Sequence, residues 1–514
     1  MSINWNRKKY FNLFNKLTLR TFLHPNPHTI SYMYQNLLPK KTINNVSMEA
    51  GHLRKFTPDG KLLITFSRNQ SEIVVYEYLG VGRGKSERAT ADKIFKDIFR
   101  KRFSVQIGRD FSFVPQCCLF TKDSKFLIAG GFKKEYLKHY NPDPRLDHND
   151  NLVFFGTLHY IETYRIMLIN LSTGLRADKV DFPRDMLLLS TIHGLSVSVN
   201  AYKVAILSMA KQNIHLFDIS EERGGQLLPS DILGQFLVQA EYELFFTHPD
   251  ISSRPLLPKN YPHLLTQMKQ KIMRFLFVKS NEEPEPLKRM HKLLRFYFHF
   301  ETVRKMKIWK IQLLDPFRLF IRYSHERVIY KRQDQGPKYN MWVFYDLRTN
   351  SVYRVFADML DNLDELMTYY EENRALLEGS PMRDNIYAME IHRQYKQGLV
   401  TARNGGPKEA IIRTLSQLPF SCQAVHESPF LNRMIFRYND KFVPVIDRPW
   451  SEVFEHPIGF FHQHQHALAF QPRLRPHDNP AREMVAFTYH PIDPFIISVQ
   501  RGDVNFYINF HMIM

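Results

Sequence analysis

Residues Leu53 to Tyr78, LRKFTPDGKLLITFSRNQSEIVVYEY, hold two or three strand-like runs around a Pro-Asp-Gly turn, and looser copies of that pattern recur to the C-terminal end. Pro58 presets φ, Asp59 can bond its own backbone and Gly60 supplies positive φ, so the chain must reverse before Leu62 to Phe66. Cys118 to Gly131 repeats this grammar with Lys122, Asp123 and Ser124 at the turn. The strand Tyr164 to Leu171 follows, and a turn at Ser172 to Gly174 ends the unit. Further copies lie at Leu187 to Ile219, Lys307 to Leu347, Ala424 to Ile446 and Met484 to Phe510. The fold expected is therefore mainly β, a single WD40-like β-propeller of about seven irregular blades. Regular repeats of that type run about 40 to 45 residues and carry a Trp-Asp signature. No Trp-Asp dipeptide occurs here, and long insertions separate the copies.

A chain of 514 residues with 44% hydrophobic and 14% aromatic content can bury a large core, and one ring of blades plus insertions accounts for the length. No apolar run approaches the roughly eighteen residues that span a bilayer. The start MSINWNRKKYF has charges where a signal peptide needs its apolar stretch. The expectation is a soluble intracellular chain with no membrane partner. Cys117, Cys118 and Cys422 match neither a secreted disulfide framework nor zinc spacing, and the adjacent pair reads as strand.

Seventy basic residues against 51 acidic ones give a net charge of +19, a bias toward polyanions such as nucleic acid or acidic protein surfaces. The excess is clearest in residues 1–50, where Arg7, Lys8, Lys9, Lys16, Arg20, Lys40 and Lys41 face only Glu49. Tyr10, Phe11, Phe14, Leu17 and Leu19 fall on a helical stripe that Pro25 and Pro27 break, and a second short apolar helix runs to Pro39. Residues 1–50 thus read as a basic helix-loop-helix arm ahead of a propeller spanning 51–514. Its stripe must be buried on its own propeller or in a partner's groove, and periodicity alone favours the first.

Helical insertions are expected at about 258–306 and 358–418, with a shorter basic one at Ala91 to Phe103. The first carries Leu264, Leu265, Met268, Ile272, Phe275 and Leu276 at helical spacing, then a Pro284-Glu285-Pro286 break and a second helix, Leu287 to Met306. In that helix Lys288, Arg289, Lys292 and Arg295 interleave with Phe296, Tyr297, Phe298 and Phe300, a combination that suits contact with nucleic acid or an acidic protein. Aromatics turned to the core and charges left in water are the competing reading. Asp358 to Leu377 is an acidic amphipathic counterpart, and Ile386 to Leu399 and Pro407 to Leu418 read as two more helices.

Chemistry-bearing motifs are weak. Gly84-Lys85-Ser86 ends like a phosphate-binding loop, but position 79 is Leu and Gly80 leaves the loop one residue short. No G-x-S-x-G elbow occurs, and nothing places Cys422 beside a histidine base. His462, His464 and His466 would share a strand face near His456, yet no carboxylate or cysteine is interleaved with them. The reading is a non-catalytic chain without cofactor or metal.

The blocks LRKFTPDGKLLITFSRNQ, MKIWKIQLLD, LSQLPFSCQAVHESPFLN, VAFTYHPIDPFIISVQ and VNFYINFHM, in this order from Leu53 to Met512, resemble the De-etiolated protein family. Divergence from the family pattern between Gly80 and Arg109 and through the arm would suit an insect member, of the abnormal oocyte type. The resemblance implies a propeller-shaped, nuclear substrate-receptor subunit of a cullin-four RING ubiquitin ligase. It further implies docking on the damaged-DNA-binding-protein adaptor, action with the constitutive photomorphogenesis RING partner, and repression at chromatin linked to histones. Under it the arm gains a second meaning, as an adaptor-docking element with Phe11, Phe14, Leu17 and Leu19 as anchors and Arg20 at the rim. A chromatin- or DNA-binding repressor acting through Lys288, Arg289, Lys292 and Arg295 without ubiquitin ligation is the alternative.

Overall fold

The structure, a computed structural model, describes residues 41–46, 52–57, 59–80, 91–121, 123–133, 162–189, 196–234, 237–238, 265–324, 340–357, 365–366, 369, 436–438, 460–462, 483–490, 495–501 and 506–512. Strand β1 (Lys41–Val46) comes first. A first sheet then forms from β2 (His52–Phe56), β3 (Leu62–Phe66), β4 (Glu72–Tyr78) and β5 (Phe99–Gln106), paired antiparallel in chain order, with helix α1 (Ala91–Ile98) between the last two. The second sheet repeats that order with β6 (Ser112–Phe120), β7 (Phe126–Lys133), β8 (Glu162–Asn170) and β9 (Arg176–Asp185). The third is built from β10 (Val197–Asn200), β11 (Lys203–Ser208), β12 (Asn213–Ser220) and β13 (Gln226–Leu233). A short pair, β14 (Leu237–Val238) with β15 (Leu265–Thr266), leads into helices α2 (Gln267–Asn281) and α3 (Pro286–Lys305). The fourth sheet is β16 (Lys307–Leu313), β17 (Arg318–Ser324), β18 (Asn340–Asp346) and β19 (Ser351–Ala357). After the pair β20 (Phe436–Tyr438) and β21 (Phe460–His462), the chain closes with β22 (Glu483–Tyr489), β23 (Phe495–Arg501) and β24 (Phe506–Met512).

The repeated turn has a common hydrogen-bond set. Thr57 Oγ1 donates to Asp59 Oδ1 at 2.6 Å and accepts from Leu62 N–H at 3.1 Å, while Lys61 N–H donates to Asp59 Oδ1 at 3.1 Å. Thr121 Oγ1 likewise donates to Asp123 Oδ1 at 2.8 Å and accepts from Phe126 N–H at 3.0 Å, and Lys125 N–H donates to Asp123 at 3.1 Å. Gly60 sits at φ +74° and Ser124 at φ +60°, the left-handed position this reversal needs. Both threonines are buried, so their hydroxyls satisfy backbone groups that water does not reach.

First strands of successive sheets lie side by side: β2 beside β6, β6 beside β10, and β10 beside β16. Apolar side chains alternating along the central strands fill the spaces between sheets. Leu207, Ile214, Ile311, Ile321 and Val343 share one such core between the third and fourth sheets.

The first and last described strands pair. β1 pairs antiparallel with β24, giving a fifth four-stranded sheet of order β1-β24-β23-β22, and β22 lies beside β2. His490 takes the place that threonine holds in the first two turns, its N–H donating to Phe495 O at 2.9 Å. Its ring packs 4.3 Å from Tyr78 and 4.8 Å from Phe56 between centroids, and Nε2 reaches Gly60 O at 2.8 Å. A carbonyl only accepts, so Nε2 carries the proton and donates.

Several sequence expectations change. The turn at Ser172 to Gly174 does not end its unit, because β9 follows as a fourth strand. Ala91 to Phe103 is helical only to Ile98 and then becomes β5. Leu265 belongs to β15 and not to α2, which begins at Gln267. Lys41–Val46, read as part of the arm, is a strand of the closing sheet. Of Ala424 to Ile446 only Phe436–Tyr438 is described as strand. Arm residues Phe11, Phe14, Leu17, Leu19 and Arg20, the Gly84-Lys85-Ser86 loop, Cys422, His456, His464, His466 and the helices expected within 370–418 lie outside the described residues. Among the described residues no helix is long and apolar enough to cross a membrane.

Candidate functional site

Among the described residues the helical hairpin α2–α3 is the largest departure from the sheets, and it carries the basic residues singled out from the sequence. Thr266 caps α2, its hydroxyl accepting from Lys269 N–H at 3.4 Å. Pro286 stands at the first position of α3, where its missing N–H costs nothing. The face of α2 bearing Met268, Ile272 and Met273 is buried against the core shared by the third and fourth sheets. Lys271 Nζ donates to Tyr345 Oη at 2.9 Å and to Asn350 O at 2.8 Å, tying α2 to the fourth sheet. Burial pulls the Lys271 ammonium below its ordinary range.

Helix α3 has two apolar faces. Phe296 and Val303 turn inward, and Phe296 packs edge-on against Phe277 of α2 with ring centroids 5.7 Å apart. The other face holds Leu287, Met290, Leu294, Tyr297 and Phe298, exposed by 68%, 52%, 60%, 48% and 80%. These positions follow a spacing of three and four residues, so they form one stripe along the helix. Of the four interleaved aromatics, Phe296 is buried and Phe300 packs beside it, whereas Tyr297 and Phe298 face water.

Lys288, Arg289, Lys292 and Arg295 lie on the side of α3 away from the stripe, within about a third of a turn of one another. Lys288 Nζ pairs with Glu285 at 2.6 Å and Lys292 with Glu283, both acids belonging to the Pro-rich link. Arg289 is half-buried among them. The structure thus brings all four basic residues onto one side of the helix. Between α2, α3 and the edge of the fourth sheet opens a cleft of about 510 Å³, floored by Met273, Leu276, Phe300, Met341 and Phe356 and rimmed by Lys279, Lys292, Arg295 and Arg354. His299 lines it too, its imidazole kept below the ordinary range by burial and by Arg295.

Sequence reasoning named the basic side of α3 and missed the outer stripe. The signal was present: Leu287, Met290 and Leu294 repeat at helical spacing on a face other than that of Phe296 and Val303.

The innermost strands hold no comparable chemistry. Cys117 is pushed up to about 12 by burial and Cys118 is raised for the same reason, so both thiols stay protonated and poor nucleophiles. Arg54 beside them is fully buried, and desolvation lowers it to about 10. No group of three or more metal-ligating side chains occurs among the described residues.

A sequence model of the family described as De-etiolated protein 1 Det1 matches residues 115–514. Light-mediated development protein DET1 of Arabidopsis thaliana is 25% identical over 521 residues, covering 91% of this chain and 92% of its own length. The protein of the same name from Solanum lycopersicum is 24% identical over 502 residues, covering 92% of each. Among solved structures, the β-propeller domain of Cps50 (Swd1) from Myceliophteria thermophila aligns over 92% of this chain and 100% of its own, at 10% identity and a TM-score of 0.32. That superposition is too loose to carry an argument.

Proposed function

This chain belongs to the De-etiolated protein 1 family, and on that footing we propose that it is a non-catalytic regulator, the receptor and scaffold subunit of a nuclear cullin-four RING ubiquitin ligase acting in transcriptional repression. The observation that carries the reading is the family match across residues 115–514. The architecture supports it. Five four-stranded sheets in chain succession, the last fastened to the first strand of the chain, are the blades of a single ring in this reading, a rigid platform from which helices and arm can reach partners. A platform of this kind acts by raising the effective concentration of a target near a charged enzyme.

The arm would dock on the damaged-DNA-binding-protein adaptor through Phe11, Phe14, Leu17 and Leu19 with Arg20 at the rim, and the constitutive photomorphogenesis RING partner would join the same assembly. Pull-down of the adaptor by the intact chain and by a Phe14→Asp, Leu17→Asp variant tests this. Loss of the adaptor in the variant is expected, and undiminished recovery would reject the arm as the docking element.

The charge of +19 favours a second reading, direct binding to chromatin DNA or histones through basic surfaces. Affinity purification from nuclear extract at low and moderate salt separates the two. Cullin and adaptor peptides that survive moderate salt favour the ligase, whereas nucleic acid bound by the purified chain alone and lost steeply with salt favours the chromatin reading.

A further inference from the structure

The geometry points to the cleft between α2, α3 and β19 as a docking groove for an extended segment of a partner protein, added to the fourth sheet as a fifth strand. β19 is the edge of that sheet and pairs with β18 alone. An antiparallel strand directs the N–H and C=O groups of alternate residues to opposite sides. Among the described residues, nothing bonds the backbone groups that Tyr353 to Ala357 turn outward. Those five consecutive residues all line the cleft. Val355 and Ala357 belong to the face packed on the core shared with the third sheet. Phe356 belongs to the other face, with the Arg354 guanidinium 5.2 Å from its ring centroid. A cleft lined by residues of both faces runs along the edge of the strand, not over one face of the sheet.

The row of backbone donors and acceptors decides the class of occupant. A second backbone in strand conformation matches that row, whereas a nucleic acid or a lipid chain carries no such alternation. Opposite the strand stand Phe296, Phe300 and Val303 of α3 with Met273 and Leu276 of α2, so every second side chain of an added strand meets apolar surface. Five residues of strand span about 17 Å. Charge sets the flanks. Lys279, Lys292, Arg295 and Arg354 line the cleft, and among the described residues no carboxylate does. Lys279, Lys292 and Arg354 pair with Glu282, Glu283 and Glu365, and the pairs through Glu282 and Glu365 are exposed on both sides. Pairs of that kind contribute little and exchange readily. An acidic flank therefore suits the groove, and the β19 edge of a second copy, which brings the same cations, does not.

This groove does not depend on the ligase reading, and its test can fail separately. The probe is a phage-displayed library of random peptides of about ten residues, enough for one strand with its flanks, selected on the full chain. Enriched peptides are then measured by fluorescence anisotropy. They should bind, and amide hydrogen exchange at Tyr353 to Ala357 should slow in their presence. N-methylation of alternate peptide residues keeps the side chains and removes half of the N–H donors, so one of the two alternate sets should weaken binding about tenfold or more. Proline is the matching change in the chain, because an edge strand accepts it where the N–H faces outward. Arg354 and Val355 are neighbours, so one of them turns its N–H into the cleft. Of Arg354→Pro and Val355→Pro, the variant that keeps its circular dichroism and melting temperature should lose the peptide by a similar factor. If both unfold, the N-methyl series decides alone. No enriched peptide, two N-methylated sets that bind like the parent, protection confined to other residues, or a folded proline variant that binds like the native chain would overturn the inference. Palmitate that protects Tyr353 to Ala357 where no peptide does would give the cleft to an amphiphile and equally overturn it.

Discussion

At the scale of single residues, Thr57 and Asp59 explain why a chain without a Trp-Asp signature can still reverse between strands. The threonine hydroxyl gives its hydrogen to Asp59 and accepts from Leu62 N–H, so one buried side chain fixes both sides of the turn. Thr57→Val keeps the shape and removes that oxygen, leaving a buried N–H without this acceptor. The expected loss is about 1–2 kcal/mol, read as a lower urea midpoint. An unchanged midpoint would mean that Asp59 and Gly60 suffice. The Pro-Asp-Gly part of this turn was legible in the sequence because it acts over four residues. The threonine was not singled out, since a Thr before a turn looks like many others until its hydroxyl is seen buried.

Among elements, the fourth strands were the hardest to read. β5, FRKRFSVQ, and β9, RADKVDFPRD, sit at sheet edges where half of each strand meets water, so charges and a proline replace the continuous buried run that marks β3, β7 or β18. Contacts between sheets are similarly hidden from local pattern. His215 on β12 lies edge-on to Phe182 on β9, with centroids 5.1 Å apart. Burial first, and Lys211 second, pull its imidazole down to about 4. Its ordinary value is about 6.5, so between those values the unfolded chain binds the proton and the folded chain resists it. The stability this group contributes is therefore full above pH 6.5 or so and is lost as pH falls toward 4. Asp185, raised by burial, acts in the opposite sense. The readout is accordingly a difference: between pH 7 and 5 the melting temperature of His215→Phe should fall less than that of the native chain. Parallel slopes would remove His215 as the acid-sensitive contact.

For the whole molecule, the fifth sheet takes one of its four strands, β1, from the other end of the described chain. This strand covers the edge of β24, and His490 joins the fifth sheet to the turn of the first across 430 residues of sequence. A chain beginning at Lys41 keeps the clasp, whereas one beginning at Ser47 leaves β24 as an open edge, prone to pairing with other chains. Thermal unfolding of the two should show the shorter chain melting well below the longer one and aggregating. Equal melting temperatures would show that β22, β23 and β24 hold the closing sheet without it.

The sequence by itself determined the β character, the reversals at Asp59 and Asp123, the helical hairpin broken at Pro284 to Pro286 and the basic side of α3. Each rests on interactions within a few residues, where side-chain chemistry and backbone geometry act almost independently of the surroundings. Only the tertiary structure decided that Lys41–Val46 pairs with Phe506–Met512, that Phe296 turns inward while Phe298 faces water, and that β5 and β9 complete their sheets. Those outcomes depend on which surfaces become neighbours. Burial is a property of the assembled sheets, and a helix with two apolar faces does not reveal which of them the core will take.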